Sequence, residues 1–334
     1  EPYRRQRQMC IRDRDNAVRF LQQHDDFTLI AHISPDGDTL GSSLALFHGL
    51  TRLGKRAQVV CADEVPPLYR FCPHAEQVLP PARARQTAAA VAVDCADRLR
   101  TGACAALFER AAHTLNIDHH GTNAGFAQVN WVERAGATGE LIYRLLMRLL
   151  GGIDRETASL LYVALATDTG NFSYSNASPE TFRTAAALLE CGIDLPELNR
   201  RLFRTVPYRK RLLEARAVSR CALHEGGRIA LAALSLADFA ACGADAADAE
   251  GLIDLLRDID TVEIAALLRE QPAGGVHVSL RGKRAADVSR IAVRFGGGGH
   301  RLAAGCVLER PLDAAAQAIL EAARAALPAA QEAR

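Results

Sequence analysis

The stretch NIDHHGTN (116–123) sets Asp118, His119 and His120 in a row at the end of an apolar run. Three adjoining titratable groups are costly to bury, so they require partners elsewhere in the chain. HISPDGDTLGSS (32–43) gathers His32, Asp36 and Asp38, AAAVAV (88–93) runs directly into Asp94, and ATDTGNF (166–172) carries Asp168. Taken singly, an aspartate at a helix start is usually a cap, and a lone histidine usually a satisfied core or surface residue. Carboxylates and imidazoles delivered by four segments to one rim have no such explanation, because clustered acids repel one another unless cations neutralise them.

The donor types narrow the cation. Carboxylate oxygens and imidazole nitrogens without thiolates suit Mn²⁺ or Mg²⁺, with Fe, Co or Zn left open. Four aspartates and two histidines as direct ligands would carry four negative charges, which two divalent ions balance. Two such ions ~3.5–4 Å apart can share a water or hydroxide, lower its pKa and clamp the oxygens of a phosphoryl group during in-line attack.

Bringing four segments to one rim requires strands that end there. Short apolar runs alternate with amphipathic stretches, the pattern of a parallel sheet with crossover helices. Segments 27–33, 57–62, 88–93 and 113–117 read as strands, and 40–54, 139–151, 156–170 and 179–192 as helices, the last capped by Ser178 with Pro179 at its first position. Ligands bind at the carboxyl ends of such strands, where the candidate residues fall. The arginine-rich stretch 195–220 reads as a helical connector; beyond it 228–235, 262–270 and 274–282 read as strands, with helices near 246–258, 285–294 and 312–326. The expected fold class is α/β: an N-terminal parallel-sheet, Rossmann-like domain over 16–194 and a second, smaller α/β domain over 221–330. Residues 1–15, Arg-rich and aperiodic, read as a non-native or disordered extension and are set aside.

Bulk properties exclude several classes. A chain of 334 residues exceeds a single core at ~150 residues per domain. A formal charge of +1 gives no global field toward nucleic acid or membrane, so anion binding must be local. Nine cysteines without a CxxC spacing argue against a zinc ribbon or disulfide framework and read as reduced, buried thiols, Cys95 included. No apolar stretch approaches the ~20 residues of a membrane span and no secretory signal opens the chain, so a cytoplasmic location is expected. Neither GxxxxGK[ST] nor GxGxxG occurs.

In order, His32-x-x-x-Asp36-x-Asp38, the isolated Asp94, Asp118-His119-His120 and Asp168 resemble the four motifs of the DHH phosphoesterase superfamily, over nearly all of the chain after Asn16. FGGGGHRLAAG (295–305) resembles the signature of the DHH-associated domain of nanoRNases, the RecJ exonuclease and alanyl-tRNA synthetases, and VSLRGK (278–283) resembles the substrate-binding strand before it. Size and the absence of inserted domains favour the group of bifunctional oligoribonucleases and phosphoadenosine phosphate phosphatases. The resemblance implies that His32 and Asp36 hold one ion and Asp38 and His119 the other, that Asp94 bridges, and that Asp168 completes the metal set. It further implies that Asp118 orients a histidine and that His120 meets the substrate phosphate, making Asp94 and His120 the catalytic pair. Asn171 stands where many relatives have Arg, and Ala137-Thr138 replaces a more hydroxyl-rich pair; both bear on substrate preference.

In the second domain, Gly297, Gly298 and Gly299 would let backbone N–H groups turn toward an anion, a following helix start would add its dipole, and His300 and Arg301 would donate from their side chains. Arg281 and Lys283 would grip phosphates or stack a base. The expected activity is two-metal hydrolysis of short oligoribonucleotides to mononucleotides and dephosphorylation of 3'-phosphoadenosine 5'-phosphate. A cyclic or linear dinucleotide phosphodiesterase is the alternative, and a catalytically silent nucleotide-binding protein a further one. The cofactors are two divalent ions, Mn²⁺ first and Mg²⁺ or Co²⁺ as options. The partners are short single-stranded RNA or a small nucleotide and no membrane, with a homodimer left open.

Overall fold

The structure, a computed structural model, describes residues 2–284 and 286–327, with side chains from Arg12 onward. The chain divides into two compact units, Glu1–Thr205 and Val206–Arg334. The expected end of the second domain at 330 lies outside the described residues.

The first unit runs α1 (Pro2–Gln23), β1 (Asp26–Ala31), α2 (Gly37–Arg52), β2 (Arg56–Val60), β3 (Ala89–Val93), α3 (Ala105–Glu109), β4 (His113–Asp118), β5 (Val129–Val132), α4 (Thr138–Leu150), α5 (Arg155–Asp168), α6 (Pro179–Glu190) and α7 (Leu195–Asn199). Its five strands form a parallel sheet in the order β2-β1-β3-β4-β5. Alternate residues serve opposite faces, as the pleat requires. Leu29, Val91 and Leu115 join Leu44, Leu141 and Leu161 in the larger core, whereas Ile30, Ala90 and Ala92 pack against Cys104 and Phe108 on the other side. That two-sided burial explains why these strands read as continuous apolar runs.

Strand order places the site. β1 is followed in sequence by β2 on one side but pairs with β3 on the other, so the chain reverses its direction of winding between β1 and β3. Register pairs Ala31 with Val93 and Val93 with Ile117, which sets His32, Asp94 and the Asp118-His119-His120 run side by side. α2 and α5 approach closely at Gly41, where a Cβ would lie 2.5 Å from the Leu160 carbonyl oxygen. That approach brings the first turn of α2 to the last turn of α5.

The second unit runs α8 (Tyr208–Ser219), β6 (Ala222–His224), β7 (Ile229–Leu234), α9 (Leu236–Cys242), α10 (Leu252–Arg257), β8 (Ile264–Glu270), β9 (Val276–Gly282), α11 (Ser289–Arg294), β10 (Gly298–His300), β11 (Ala303–Leu308) and α12 (Leu312–Ala326). Its sheet has the order β10-β11-β9-β8-β7-β6, with only β7 and β8 parallel. Leu231, Leu268 and Val278 pack with α11 and α12, while Ala232, Leu267 and Leu256 form the core under α8 and α10.

Several elements differ from the sequence reading. The helix expected at 246–258 is interrupted: Ala246–Ala249 is a 3₁₀ turn and α10 starts only after Gly251, whose φ of +81° a helix interior does not accept. The stretch 195–220 is broken before Pro207, and its halves join different cores, Leu198 and Leu202 in the first unit, Leu213 and Ala217 in the second. Residues 2–15, set aside as an extension, lie within the span of α1, and among the residues with described side chains Ala17 is the first buried one. The glycine-rich stretch is the larger correction. It forms a hairpin, with Gly298, Gly299 and His300 paired to Gly305, Ala304 and Ala303, so no helix starts there to lend a dipole. Glycine is needed for close strand approach: a Cβ at Gly297 would lie 2.2 Å from the Gly305 carbonyl oxygen, and one at Gly299 2.5 Å from the Ala304 Cα.

Candidate metal centre

Six of the expected ligands meet at the carboxyl end of the parallel sheet. His32 follows β1, Asp36 caps α2 by accepting from the backbone N–H of Asp38 and Thr39, and Asp38 sits in the first turn of α2. Asp94 follows β3 with φ +60°, a left-handed conformation that aspartate tolerates better than most residues and that commonly marks functional positions. His119 follows β4, and Asp168 is the last residue of α5.

Two clusters result. His32 Nε2 lies 3.6 Å from Asp36 Oδ1 and 3.5 Å from Asp94 Oδ2. His119 Nε2 lies 3.8 Å from Asp38 Oδ2, 3.6 Å from Asp94 Oδ1 and 3.6 Å from Asp168 Oδ2. Asp94 thus faces both histidines, one with each oxygen.

The residues fit divalent ions. His119 Nδ1 lies 3.1 Å from the Ala135 carbonyl, to which it donates, and so presents a lone pair at Nε2. That Nε2 is buried and has no hydrogen-bond partner. Separations near 3.6 Å are too long for hydrogen bonds, yet close to those between donors sharing an ion at bond lengths of ~2.0–2.2 Å. His32 is likewise anchored through Nδ1, 2.7 Å from the Ile33 carbonyl, which turns Nε2 toward Asp36 and Asp94.

Proton affinities follow from the geometry. Burial works against a charge on His32, but Asp36 and Asp94 outweigh it and raise its pKa to about 10. Burial, with Asp94, Asp168 and Asp36 nearby, pushes Asp38 well above the usual carboxylate range. Burial likewise raises Asp168 to about 6, against the pull of His119. These raised values describe an acidic nest that holds protons when it holds no metal.

Asp118 contacts His120 rather than His119. Its Oδ1 lies 2.8 Å from His120 Nδ1, which raises the His120 pKa, and its Oδ2 accepts from Asn123 at 2.7 Å. Burial opposes ionisation of Asp118, yet these two hydrogen bonds keep its pKa low.

Sequence reasoning missed the residues that hold these ligands. Asp38 accepts from the N–H of Thr138 at 2.6 Å, the N–H of Gly139 at 3.0 Å and the hydroxyl of Ser42 at 2.9 Å, so the start of α4 anchors it. Thr138 also donates its hydroxyl to Asp94 Oδ1 at 2.8 Å, and Asn176 donates to Asp168 Oδ2 at 3.2 Å. Ser42 and Asn123 lie within the motif stretches HISPDGDTLGSS and NIDHHGTN, and Thr138 bears in the sequence reading only on substrate preference, whereas its N–H and hydroxyl hold Asp38 and Asp94. Cys95 is fully buried and burial raises its thiol pKa, as a packed thiol should behave.

The expected substrate residues lie on or beside neighbouring strands of the second sheet, where Ala303 of β11 pairs with both His300 of β10 and Arg281 of β9. Lys283 donates to the Ile259 carbonyl at 2.8 Å, Arg281 lies 3.6 Å from Asp254 Oδ1, and Arg301 donates to the Arg284 carbonyl at 3.3 Å. His300 is exposed, and nothing crowds Gly298.

A nest of carboxylates and imidazoles at the winding reversal of a parallel sheet, followed by a mixed sheet with a glycine hairpin, is the build of a metal-dependent phosphoesterase. The chain belongs to the DHH family: residues 26–165 match the DHH family, N-terminal domain, and residues 226–328 the DHHA1 domain. It is 35% identical over 300 residues to the bifunctional oligoribonuclease and PAP phosphatase NrnA of Thermus thermophilus, covering 89% of this chain and 88% of that protein. The probable bifunctional oligoribonuclease and PAP phosphatase NrnA of Streptococcus mutans is 27% identical, over 85% of this chain and 90% of that one. In fold, the chain resembles an exopolyphosphatase-related protein of Bacteroides fragilis, with a TM-score of 0.86 at 24% identity over 94% of this chain and 96% of that one. Among the described residues, no helix is long and apolar enough to cross a membrane.

Proposed function

We propose that this chain hydrolyses short oligoribonucleotides to mononucleotides and removes a phosphate from 3'-phosphoadenosine 5'-phosphate. The observation that carries the reading is the buried, unpartnered Nε2 of His119 facing Asp38, Asp94 and Asp168, with His32 and Asp36 on the other side of Asp94. Near full-length similarity to two relatives named for both activities supports the substrate class.

In this reading His32, Asp36 and Asp94 hold one divalent ion, and Asp38, His119 and Asp168 the second, with Asp94 shared. Two such ions, Mn²⁺ in first place, supply Lewis-acid polarisation of the phosphoryl oxygens and a nucleophile at neutral pH. The chain supplies the rest. Thr138, Gly139 and Ser42 keep the Asp38 carboxylate aimed, and the Ala135 carbonyl keeps the His119 tautomer. His120 is held through Nδ1 by Asp118, which favours its charged form and leaves Nε2 to donate to a phosphate oxygen as negative charge builds. Substrate selection belongs to the second domain, with His300 and the open face at Gly298 as its first contacts; Arg281, Lys283 and Arg301 would have to leave their present partners to join.

A turnover assay with Mn²⁺, Mg²⁺ and Co²⁺ on a two-nucleotide RNA, 3'-phosphoadenosine 5'-phosphate and a cyclic dinucleotide tests this. The first two should be consumed, and Asp94→Ala should abolish both activities. Preference for the cyclic dinucleotide, or unchanged turnover in the variant, sinks the proposal.

A further inference from the structure

Outside that centre the first unit carries a second group of ligand atoms. His48 of α2, His74 of the irregular segment between β2 and β3, and Glu156 of the first turn of α5 converge, with every ligand atom within 4.8 Å of the others. His74 Nε2 lies 3.0 Å from His48 Nδ1 and 2.6 Å from Glu156 Oε1, and His48 Nδ1 lies 3.6 Å from that same oxygen. Behind them Asp154, the cap of α5, accepts a hydrogen bond from the His48 Nε2–H at 2.9 Å. That bond fixes the tautomer: His48 Nδ1 presents a lone pair toward His74 and Glu156. A carboxylate holding the far nitrogen of a histidine is the arrangement that orients and strengthens a metal ligand.

We propose that His48, His74 and Glu156 bind a divalent transition metal, Zn²⁺ in first place, with a fourth position open to water. Tetrahedral bonds of ~2.0–2.2 Å place donors ~3.3–3.5 Å apart, so one separation already fits and the other two open by a few tenths to ~0.8 Å. The shift moves side-chain tips only. His48 and His74 are 17% and 21% exposed and Glu156 41%, which leaves the site reachable from solvent. Charge also agrees: Glu156 and Asp154 offer two negative charges, and among the described residues one guanidinium, Arg52, pairs with Asp154, 3.3 Å from its Oδ2.

The donor set separates this site from the main centre. Two imidazoles and one carboxylate favour Zn²⁺, Ni²⁺ or Cu²⁺, whereas the carboxylate-rich centre suits Mn²⁺ and Mg²⁺. On binding, His74 gives up its Nε2 proton and takes one at Nδ1, where the Gln77 side-chain amide, 3.1 Å away, turns to present its oxygen. The ion would fasten the segment carrying His74 to α2 and α5.

The test uses the full chain, stripped with a chelator, saturated with Mn²⁺ and titrated with ZnCl₂, followed by gel filtration and elemental analysis. Wild type should retain one more zinc per chain than either His74→Ala or Glu156→Gln, and Zn²⁺ should raise the Tm of wild type alone. Mn²⁺-supported turnover should be unchanged in both variants. If His74→Ala fails to fold, Glu156→Gln, which keeps the side-chain volume, decides by the same zinc count. Equal zinc in wild type and Glu156→Gln overturns the proposal and leaves a hydrogen-bonded histidine pair.

Discussion

Metal affinity at the main centre should rise steeply with pH, because the metal-free site is full of protons that the ions must displace. His32 has a pKa of about 10 despite its burial, owing to Asp36 and Asp94, and burial brings Asp168 to about 6. A group with a raised pKa stays protonated below that value, so affinity falls as pH falls. Near pH 7 His32 lies about three units below its pKa, and removing its proton costs ~4 kcal/mol at ~1.36 kcal/mol per unit, or roughly a thousandfold in affinity. The ion on the His32 side should therefore bind about tenfold more tightly per unit of pH between ~7 and ~9. The His119-side ion should lose more affinity below about pH 6, where Asp168 takes up a proton. Calorimetric titration of the chelator-stripped protein with Mn²⁺, in buffers of different ionisation enthalpy, counts the protons directly. Close to one proton should leave per His32-side ion at slightly alkaline pH. Flat affinity with no proton release over that range would refute the assignment of His32 as a ligand.

The other predictions concern single residues. His119→Ala should weaken metal binding by more than the ~10–100-fold that loss of an outer partner costs, whereas His120→Ala should leave metal content intact and lower kcat by roughly 10²–10³. Equal metal loss in the two would mean that their roles are not divided. Gly41→Ala puts a Cβ 2.5 Å from the Leu160 carbonyl oxygen, a backbone atom that cannot swing away. It should destabilise the first unit by ~1–3 kcal/mol, read as a fall in Tm of roughly 2–4 °C per kcal/mol; an unchanged Tm would show that α2 and α5 can separate freely.

Legibility in the sequence followed the range of the physical cause. α12 falls where its apolar period sets it, at 312–326, and α6 begins at Pro179 behind the Ser178 cap, because caps and periodicity are local. β5 escaped notice: four residues with Asn130 in the middle carry no strand signal, and Asn130 instead closes the preceding turn by accepting from Phe126 and Ala127. The glycine run misled in the opposite sense, since glycines that free a backbone for an anion and glycines that let β10 and β11 approach look alike in one dimension.

NIDHHGTN and its partner motifs were enough to nominate the ligands, because an acid or imidazole placed directly after a buried strand is chemically expensive wherever the strand lies. The sequence by itself therefore determined which side chains to nominate and why such a gathering of acids calls for cations. Which oxygen faces which nitrogen was decided only by strand register and the close packing of α2 on α5. The left-handed turn at Asp94, the hold of α4 on Asp38, and the meeting of His48, His74 and Glu156 across 26 and 82 residues of chain also belong to tertiary structure. The reason is geometric: propensity acts over a few neighbouring residues, whereas a site is made where remote segments cross, and only the folded chain specifies those crossings.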